Sequence, residues 1–260
     1  MVSDTALREM TDRLRAAGIE NAAFEARCIF EDLPPEKRAA AVEKRIAGEP
    51  LQYLLGTWDF LSLRLSVGEG VLIPRQDTEL LCETAAALLR DVPAPQVLDL
   101  CAGSGCVGLG LASLKADVTV TAVEKSAAAF AYLAENCRRY PQYAVEPLLA
   151  DICDVELTGE YDAILSNTPY IREAVLPTLA KEVQREPKTA LCGGADGLFF
   201  YRVLADRFVP LLKSGGFMAA EIGFDQRVAV ETLFADAGLQ AVKTYRDLAG
   251  HDRVAVGYKK

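Results

Sequence analysis

An apolar run ending in Ile164-Leu165-Ser166 stops abruptly at Asn167, Thr168, Pro169 and Tyr170. Proline lacks a ladder N–H and drives the residue before it out of the helical region, so the chain must leave a strand here in an extended or turned form. A side-chain amide and an aromatic ring are thereby presented together at a strand end, a pairing suited to gripping a flat polar group. A second constellation lies upstream in VLDLCAGSGCVGLGLA, which reads as an apolar strand, Asp99, a glycine turn through Gly103 and Gly105, and a helix from about Cys106. Small residues let backbone come close to a ligand, and a helix N-terminus adds oriented N–H groups. Gly103, Gly105 and Gly108 also satisfy G-x-G-x-x-G, so taken alone the loop leaves a nicotinamide- or flavin-binding site open.

The carboxylates that follow narrow this choice. Glu124 closes the next strand candidate in TAVEKS, where it can accept the hydroxyls of a ribose. Asp151 closes the one after in LLADICD, at a place suited to an adenine amino group, while Asp154 reads as a solvated loop acid. Three successive strands that each deliver a carboxylate toward one crevice look like a site for S-adenosylmethionine, which carries an adenosine and a cationic sulfonium and no pyrophosphate. The plainer reading of each acid is an exposed charge at a strand end.

Composition sets the frame. The chain has 260 residues, is 51% hydrophobic and carries a net charge of −9 from 28 Lys+Arg and 37 Asp+Glu. Such a chain buries a real core and lacks the basic footprint of a protein that grips phosphate backbones. No nucleic-acid partner is expected. No apolar run approaches the roughly 20 residues a membrane span needs, and MVSDTALREM carries acids where a signal peptide has bases; a cytoplasmic protein is expected, with no membrane partner. The seven cysteines (Cys28, Cys82, Cys101, Cys106, Cys137, Cys153, Cys192) form no C-x-x-C pair and lie mostly in apolar segments, so free thiols and no metal site are expected.

The elements that must position these residues follow from periodicity. Residues 1–56 show helical spacing (Leu7, Met10, Leu14; Phe24, Cys28, Ile29) broken by Gly18 and Pro34-Pro35. They read as a small helical domain. Residues 57–76 alternate in part, as a β-hairpin linker would. From 77 to 260 strands alternate with helices: strands near 96–101, 117–123, 144–149, 161–166, 216–222, 240–246 and 253–258, helices near 78–90, 106–115, 126–139, 197–212 and 226–237. This predicts an α/β, Rossmann-like fold, a mostly parallel seven-stranded sheet covered on both faces. The last two strands leave no room for a helix between them and are expected to be antiparallel.

Taken with the glycine loop, NTPY resembles the N-P-P-Y signature of methyltransferases that modify a planar amide or amine nitrogen. GEPLQYLLGTWDF, VLIPRQDTELL, DLCAGSG, SNTPYI, EVQREPKTALCGGADGLFFYRVL, GGFMAAEIG and DLAGHDRVAVG occur in the order found in the HemK/PrmC family, the N5-glutamine methyltransferases that act on peptide chain release factors. The resemblance covers roughly residues 45–260. It implies S-adenosylmethionine as cofactor, a class 1 release factor as protein partner, an N-terminal domain that recognises substrate, and a monomer. It assigns the cofactor to Asp99, Cys101, Ala102, Gly103, Ser104, Gly105, Glu124, Asp151, Ile152 and Asn167. Chemistry and substrate fall to Asn167, Thr168, Pro169 and Tyr170, with Arg75 and Glu79 added on the substrate side.

Three departures from the family pattern stand out. Thr168 replaces the usual first proline, and Gln76-Asp77 replace Pro-Glu in the stretch before the first large helix. For Asp77 and Glu79 a helix N-cap and favourable first-turn charge compete with a role at the site. Cys101 stands where the loop often has glycine, and is expected to fit only with negative φ. His251, the one histidine, reads as structural. Two rival functions share these motifs: an adenine-N6 nucleic-acid methyltransferase, disfavoured by the net charge, and a non-catalytic binding module, motivated only by Thr168.

Overall fold

The computed structural model describes residues 2–260. Four helices come first: α1 (Val2–Ala16), α2 (Ala22–Asp32), α3 (Pro35–Ile46) and the short α4 (Leu51–Leu55). Met10 and Leu14 on α1, Ala26 and Ile29 on α2, and Val42 on α3 share one apolar cluster with Leu51. The i, i+3/i+4 spacing read from the sequence thus faces inward, and each buried Leu or Ile contributes about 1.5–3 kcal/mol. Pro35 sits in the first turn of α3, where its missing N–H has no intrahelical partner to lose. Strands β1 (Thr57–Phe60) and β2 (Leu63–Ser66) then pair antiparallel, Trp58 opposite Leu65.

The remainder is one seven-stranded sheet with helices on both faces: α5 (Glu79–Leu88), β3 (Gln96–Leu100), α6 (Cys106–Leu114), β4 (Thr119–Glu124), α7 (Ala127–Arg139), β5 (Ala144–Leu149), β6 (Tyr161–Ser166), α8 (Lys188–Leu191), α9 (Phe199–Val203), β7 (Leu212–Glu221), α10 (Arg227–Asp236), β8 (Gln240–Arg246) and β9 (Asp252–Tyr258). Strand order is β5-β4-β3-β6-β7-β9-β8. The first five are parallel, and β9 runs antiparallel to both β7 and β8. This is the Rossmann-like methyltransferase fold, with the expected strands in place.

The period of two is visible in the core. Val97, Ala163, Leu165, Phe217 and Ala219 pack on one face with Leu81 and Cys82 of α5 and Leu109 of α6. Leu98, Leu100, Ile164, Met218 and Ala220 pack on the other with Tyr201, Phe208, Val230 and Phe234. Buried on both faces, the central strands read as continuous apolar runs, as parallel strands do. The order reverses between β3 and β6, and ligands of open α/β sheets bind in the crevice at such a point, beyond the carboxyl ends of the strands.

One expected helix differs. The segment 197–212 is α9, then a π-helical turn at Leu204–Phe208 and a 3₁₀ turn at Val209–Leu211. Pro210 has no N–H to continue the ladder, and the chain changes winding before entering β7.

Candidate functional site

The glycine loop joins β3 to α6 at the crevice. Gly105 takes φ 83° as the residue before α6, and a Cβ there would come within 2.6 Å of Leu133 Cδ1. Only glycine satisfies both the turn and the contact. Cys101 has φ 62°, which corrects the expectation of negative φ. The left-handed step turns the chain so that Ala102 N–H reaches the Val123 carbonyl at 3.0 Å, anchoring the loop to β4. A non-glycine residue held this way costs on the order of 1–3 kcal/mol.

A cavity of about 320 Å³ opens beyond β3, β4, β5 and β6. Cys101, Ala102, Gly103, Ser104, Glu124, Asp151, Ile152, Asn167 and Pro169 line it together with Arg75, so the structure gathers most of the residues singled out in the sequence around one space. Glu124 accepts the Gly103 N–H at 2.8 Å through Oε2 and the Ser126 N–H at 2.6 Å through Oε1. Asp151 pairs with Lys125 Nζ at 2.6 Å and accepts the Cys153 N–H at 2.9 Å. Burial pushes the Asp151 carboxyl up, but Lys125 and the Cys153 N–H outweigh it and hold the group below the usual aspartate range.

Asp99 is placed differently. Following the alternation of β3, its side chain lies under α6, fully buried, and Oδ2 accepts the Gly108 N–H at 2.8 Å while Oδ1 has no partner. It does not line the cavity. Burial raises its pKa to about 7 against the Gly108 N–H; nearby Glu124 adds to the rise.

A smaller cavity of about 160 Å³ adjoins the first, sharing Leu72, Arg75, Asn167 and Ala190, and is completed by Thr168, Tyr170, Ile171, Val183, Leu191 and Glu221. Asn167 therefore stands where the two spaces meet. Its Nδ2 donates to Thr78 Oγ1 at 3.0 Å, Thr78 donates to Glu221 Oε2 at 2.6 Å, and the Tyr170 hydroxyl donates to Glu221 Oε1 at 3.2 Å. Asn167 Oδ1 and the Thr168 carbonyl accept no hydrogen bond from any described residue. Thr168 is 1% exposed; its hydroxyl faces the Tyr201 phenol without a hydrogen bond of good geometry, and Oγ1 is left unpartnered.

Loops packed behind Pro169 and Tyr170 fix their course. A Cβ on Gly193 would meet Pro169 O at 2.7 Å and Tyr170 Cα at 2.8 Å, so the GGADG loop lies directly on the turn. Gln226 Nε2 donates to Tyr170 O at 3.0 Å and to Gly197 O at 3.1 Å, stitching the two loops together. Neither Gln226, Thr78 nor Glu221 stood out in the sequence. For Glu221 a signal existed: it is a lone carboxylate closing a buried strand, the same feature that marks Glu124.

On the outer side, Arg75 pairs with Glu186, whose other oxygen accepts the Ile73 N–H at 3.0 Å. Arg75 borders both cavities and a third, of about 380 Å³, lined by Phe24, Trp58 and Glu182 from the N-terminal helices, hairpin and facing loop. Glu79 is elsewhere. Its Oε1 accepts the Leu61 N–H of the hairpin turn at 2.9 Å, and it lines none of these spaces. Asp77 makes no N-cap bond and pairs instead with Arg253 at 3.2 Å. His251 lies in an exposed turn, its N–H on Asp247. Among the described residues no cluster of His, Cys, Asp or Glu suits a metal ion, and no helix is long and apolar enough to cross a membrane. All seven cysteines are free thiols.

The 320 Å³ cavity is suited to an adenosyl sulfonium. It presents Glu124 and Asp151, and its two cations, Lys125 and Arg75, are each paired with a carboxylate. Comparison with known proteins agrees. The model of the methyltransferase small domain matches residues 76–196. A release factor glutamine methyltransferase of Moorella thermoacetica is 37% identical over 98% of either chain, and one of Geobacter sulfurreducens is 40% identical over 86% of this chain and 80% of its own. A methyltransferase structure from Pyrococcus furiosus, 17% identical, aligns over 86% of this chain and 98% of its own with a TM-score of 0.57, a likeness of fold. With its glycine loop, its NTPY turn and its sheet order accounted for, and with near-full-length relatives at this identity, the chain belongs to the release factor glutamine methyltransferase family.

Proposed function

We propose that this protein methylates the side-chain amide nitrogen of the glutamine in the Gly-Gly-Gln loop of a class 1 release factor, with S-adenosylmethionine as donor. One observation carries the reading: Asn167 Oδ1, in the residue shared by the two cavities, and the carbonyl of Thr168, which lines the smaller one, are neighbouring acceptors without donors. A primary amide offers two N–H groups and needs two such acceptors.

The chemistry explains the demand. An amide lone pair is delocalised into its carbonyl, so the nitrogen is a poor nucleophile and must be aligned. When bound, the cofactor supplies a methyl group on a sulfonium, with a neutral thioether as leaving group. Asn167 and Thr168 hold the nitrogen by its protons and stabilise the positive charge that develops there, which supplies alignment and electrostatics together. Tyr170, fixed by Glu221 and Gln226, provides a flat wall for the substrate amide. The methylated nitrogen is acidic and releases its proton without a strong base, in keeping with a site that holds no histidine.

Gly103, Ser104, Glu124, Asp151 and Ile152 would hold the cofactor, Glu124 at the ribose and Asp151 at the adenine amino group. Arg75 sits at the substrate side. The 380 Å³ groove beside it suits a protein substrate reaching over the N-terminal helices, which form the recognition domain, and the chain acts as a cytoplasmic monomer.

Intact-mass analysis of release factor incubated with enzyme and S-adenosylmethionine tests the proposal: one methyl group per factor is expected, and a Gln→Ala change in the Gly-Gly-Gln loop should remove it. Asn167→Ala should abolish transfer while leaving cofactor affinity within about tenfold, roughly 1.4 kcal/mol. A variant with half the wild-type rate would take Asn167 out of the mechanism.

A further inference from the structure

Asn167 can serve as an acceptor only if its amide points one way. The two ends of an asparagine amide are nearly equal in shape, and a flip would turn the NH₂ toward the substrate nitrogen, donor against donor. Something must choose the orientation.

We propose that Thr78 and Glu221 are positioning residues that make this choice through a one-way hydrogen-bond relay, and so set the competence of Asn167 for the reaction proposed above. The direction follows from counting protons. An ionised carboxylate only accepts, so Thr78, 2.6 Å from Glu221 Oε2, gives its single hydroxyl proton to Glu221. Thr78 Oγ1 is left as an acceptor, and the group 3.0 Å away must donate. Asn167 therefore turns Nδ2 to Thr78 and Oδ1 to the cavity. Glu221 is itself held in place. It is 1% exposed, and its second oxygen takes the Tyr170 hydroxyl, so one carboxylate aligns the amide and the ring on either side of the substrate space. Burial pushes the Glu221 carboxyl up on balance, and the Thr78 hydroxyl, then the charge of Arg253 on β9, which also pairs with Asp77 and Asp247, then the Tyr170 hydroxyl oppose that rise in favour of the ionised form. Buried networks of this kind fix a single arrangement when every member is satisfied.

The test compares Thr78→Val, Thr78→Ser and Glu221→Gln in the full chain. Thr78→Val keeps the shape and removes the relay, and should lower kcat for release factor methylation about three- to tenfold with KM for S-adenosylmethionine unchanged. Thr78→Ser restores the hydroxyl and should return kcat to within about twofold of wild type. An independent readout needs no cofactor: the Asn167 side-chain NH₂ signals in ¹⁵N NMR spectra, assigned by their loss in Asn167→Ala, should show slowed solvent exchange in wild type and Thr78→Ser and faster exchange in Thr78→Val. Glu221→Gln, whose amide can donate as well as accept, should give the Val-like exchange rate even if the Val variant does not fold. Equal exchange in wild type and these variants, or a Ser variant as slow as Val in turnover, would overturn the relay. A wild-type enzyme that leaves release factor unmethylated would instead overturn the proposed function, with the exchange experiment still deciding the relay.

Discussion

The Gly103 N–H rests on Glu124 Oε2 at 2.8 Å, so the carboxylate proposed to receive the ribose also braces the glycine loop. Its other oxygen holds the Ser126 N–H at the start of α7. Removing it therefore affects two properties at once. Glu124→Ala should raise the dissociation constant for S-adenosylmethionine at least tenfold, since hydrogen bonds to a charged group contribute about 1.5–3 kcal/mol each, and should also lower the melting temperature by unpairing two backbone donors. Calorimetry and thermal melts on one preparation check both; unchanged affinity would return Glu124 to a purely structural role.

Thr168 carries a buried hydroxyl without a partner, a group that costs on the order of 1–3 kcal/mol to bury. Thr168→Val should stabilise the protein and keep methyl transfer, because only the carbonyl is used. Thr168→Pro should also remain active, with a gain of about two- to fivefold at most from the reduced freedom of the free loop. Single-turnover transfer to a release factor decides; a loss beyond tenfold in Thr168→Pro would mean that the Thr168 N–H or hydroxyl takes part.

Asp99 makes stability depend on pH in an unusual direction. Burial lifts its folded pKa to about 7, whereas the unfolded chain has an ordinary aspartate near 3.9. The native state thus binds the proton more tightly, and the stabilisation linked to this group is complete below about pH 4 and lost as pH rises through about 7. Asp99→Asn keeps an acceptor for the Gly108 N–H and removes the titration. Denaturant melts should show wild type losing stability relative to Asp99→Asn between pH 5 and pH 8; a constant difference would refute the assignment.

Arg45 bridges the N-terminal helices to the loop before α8, pairing with buried Glu25 at 2.6 Å and with half-exposed Glu182 at 2.8 Å. The two contacts differ in kind. Arg45→Ala strands the Glu25 charge in the helical core and should cost about 3–5 kcal/mol. Glu182→Ala removes a solvent-screened pair and should cost less than about 1 kcal/mol. Urea melts of the two variants should separate them by at least 2 kcal/mol in this order.

Much of this molecule was legible in its sequence. The strands of the sheet follow from apolar runs and from helices alternating with them, and the order of the motifs identified the fold. The miss at 197–212 has a local cause, since Pro210 changes the helix winding without breaking the apolar spacing that marks the segment. At the site, Asn167 and Tyr170 stood out because their types are unusual at a strand end. Glu79 was misleading because a carboxylate in a first helical turn has the same sequence signature whether it faces a ligand or, as here, the Leu61 N–H. Thr78 and Glu221 escaped because their pairing joins positions 143 residues apart, and pairings over such distances leave no local pattern.

The sheet order has a consequence for the order of assembly. β8 touches the sheet only through β9, which is translated after it. Until β9 is in place β8 has no partner in the sheet and the β7 edge, whose Met218 and Ala220 end fully buried, stays unpaired. Insertion of Asp252–Tyr258 between them closes that edge and brings Arg253 to Asp77, beside the turn that carries Thr78. The turn that carries Thr78 thus gains its ion pair only when β9 docks, so closing the sheet and completing the surroundings of Asn167 are one event in assembly.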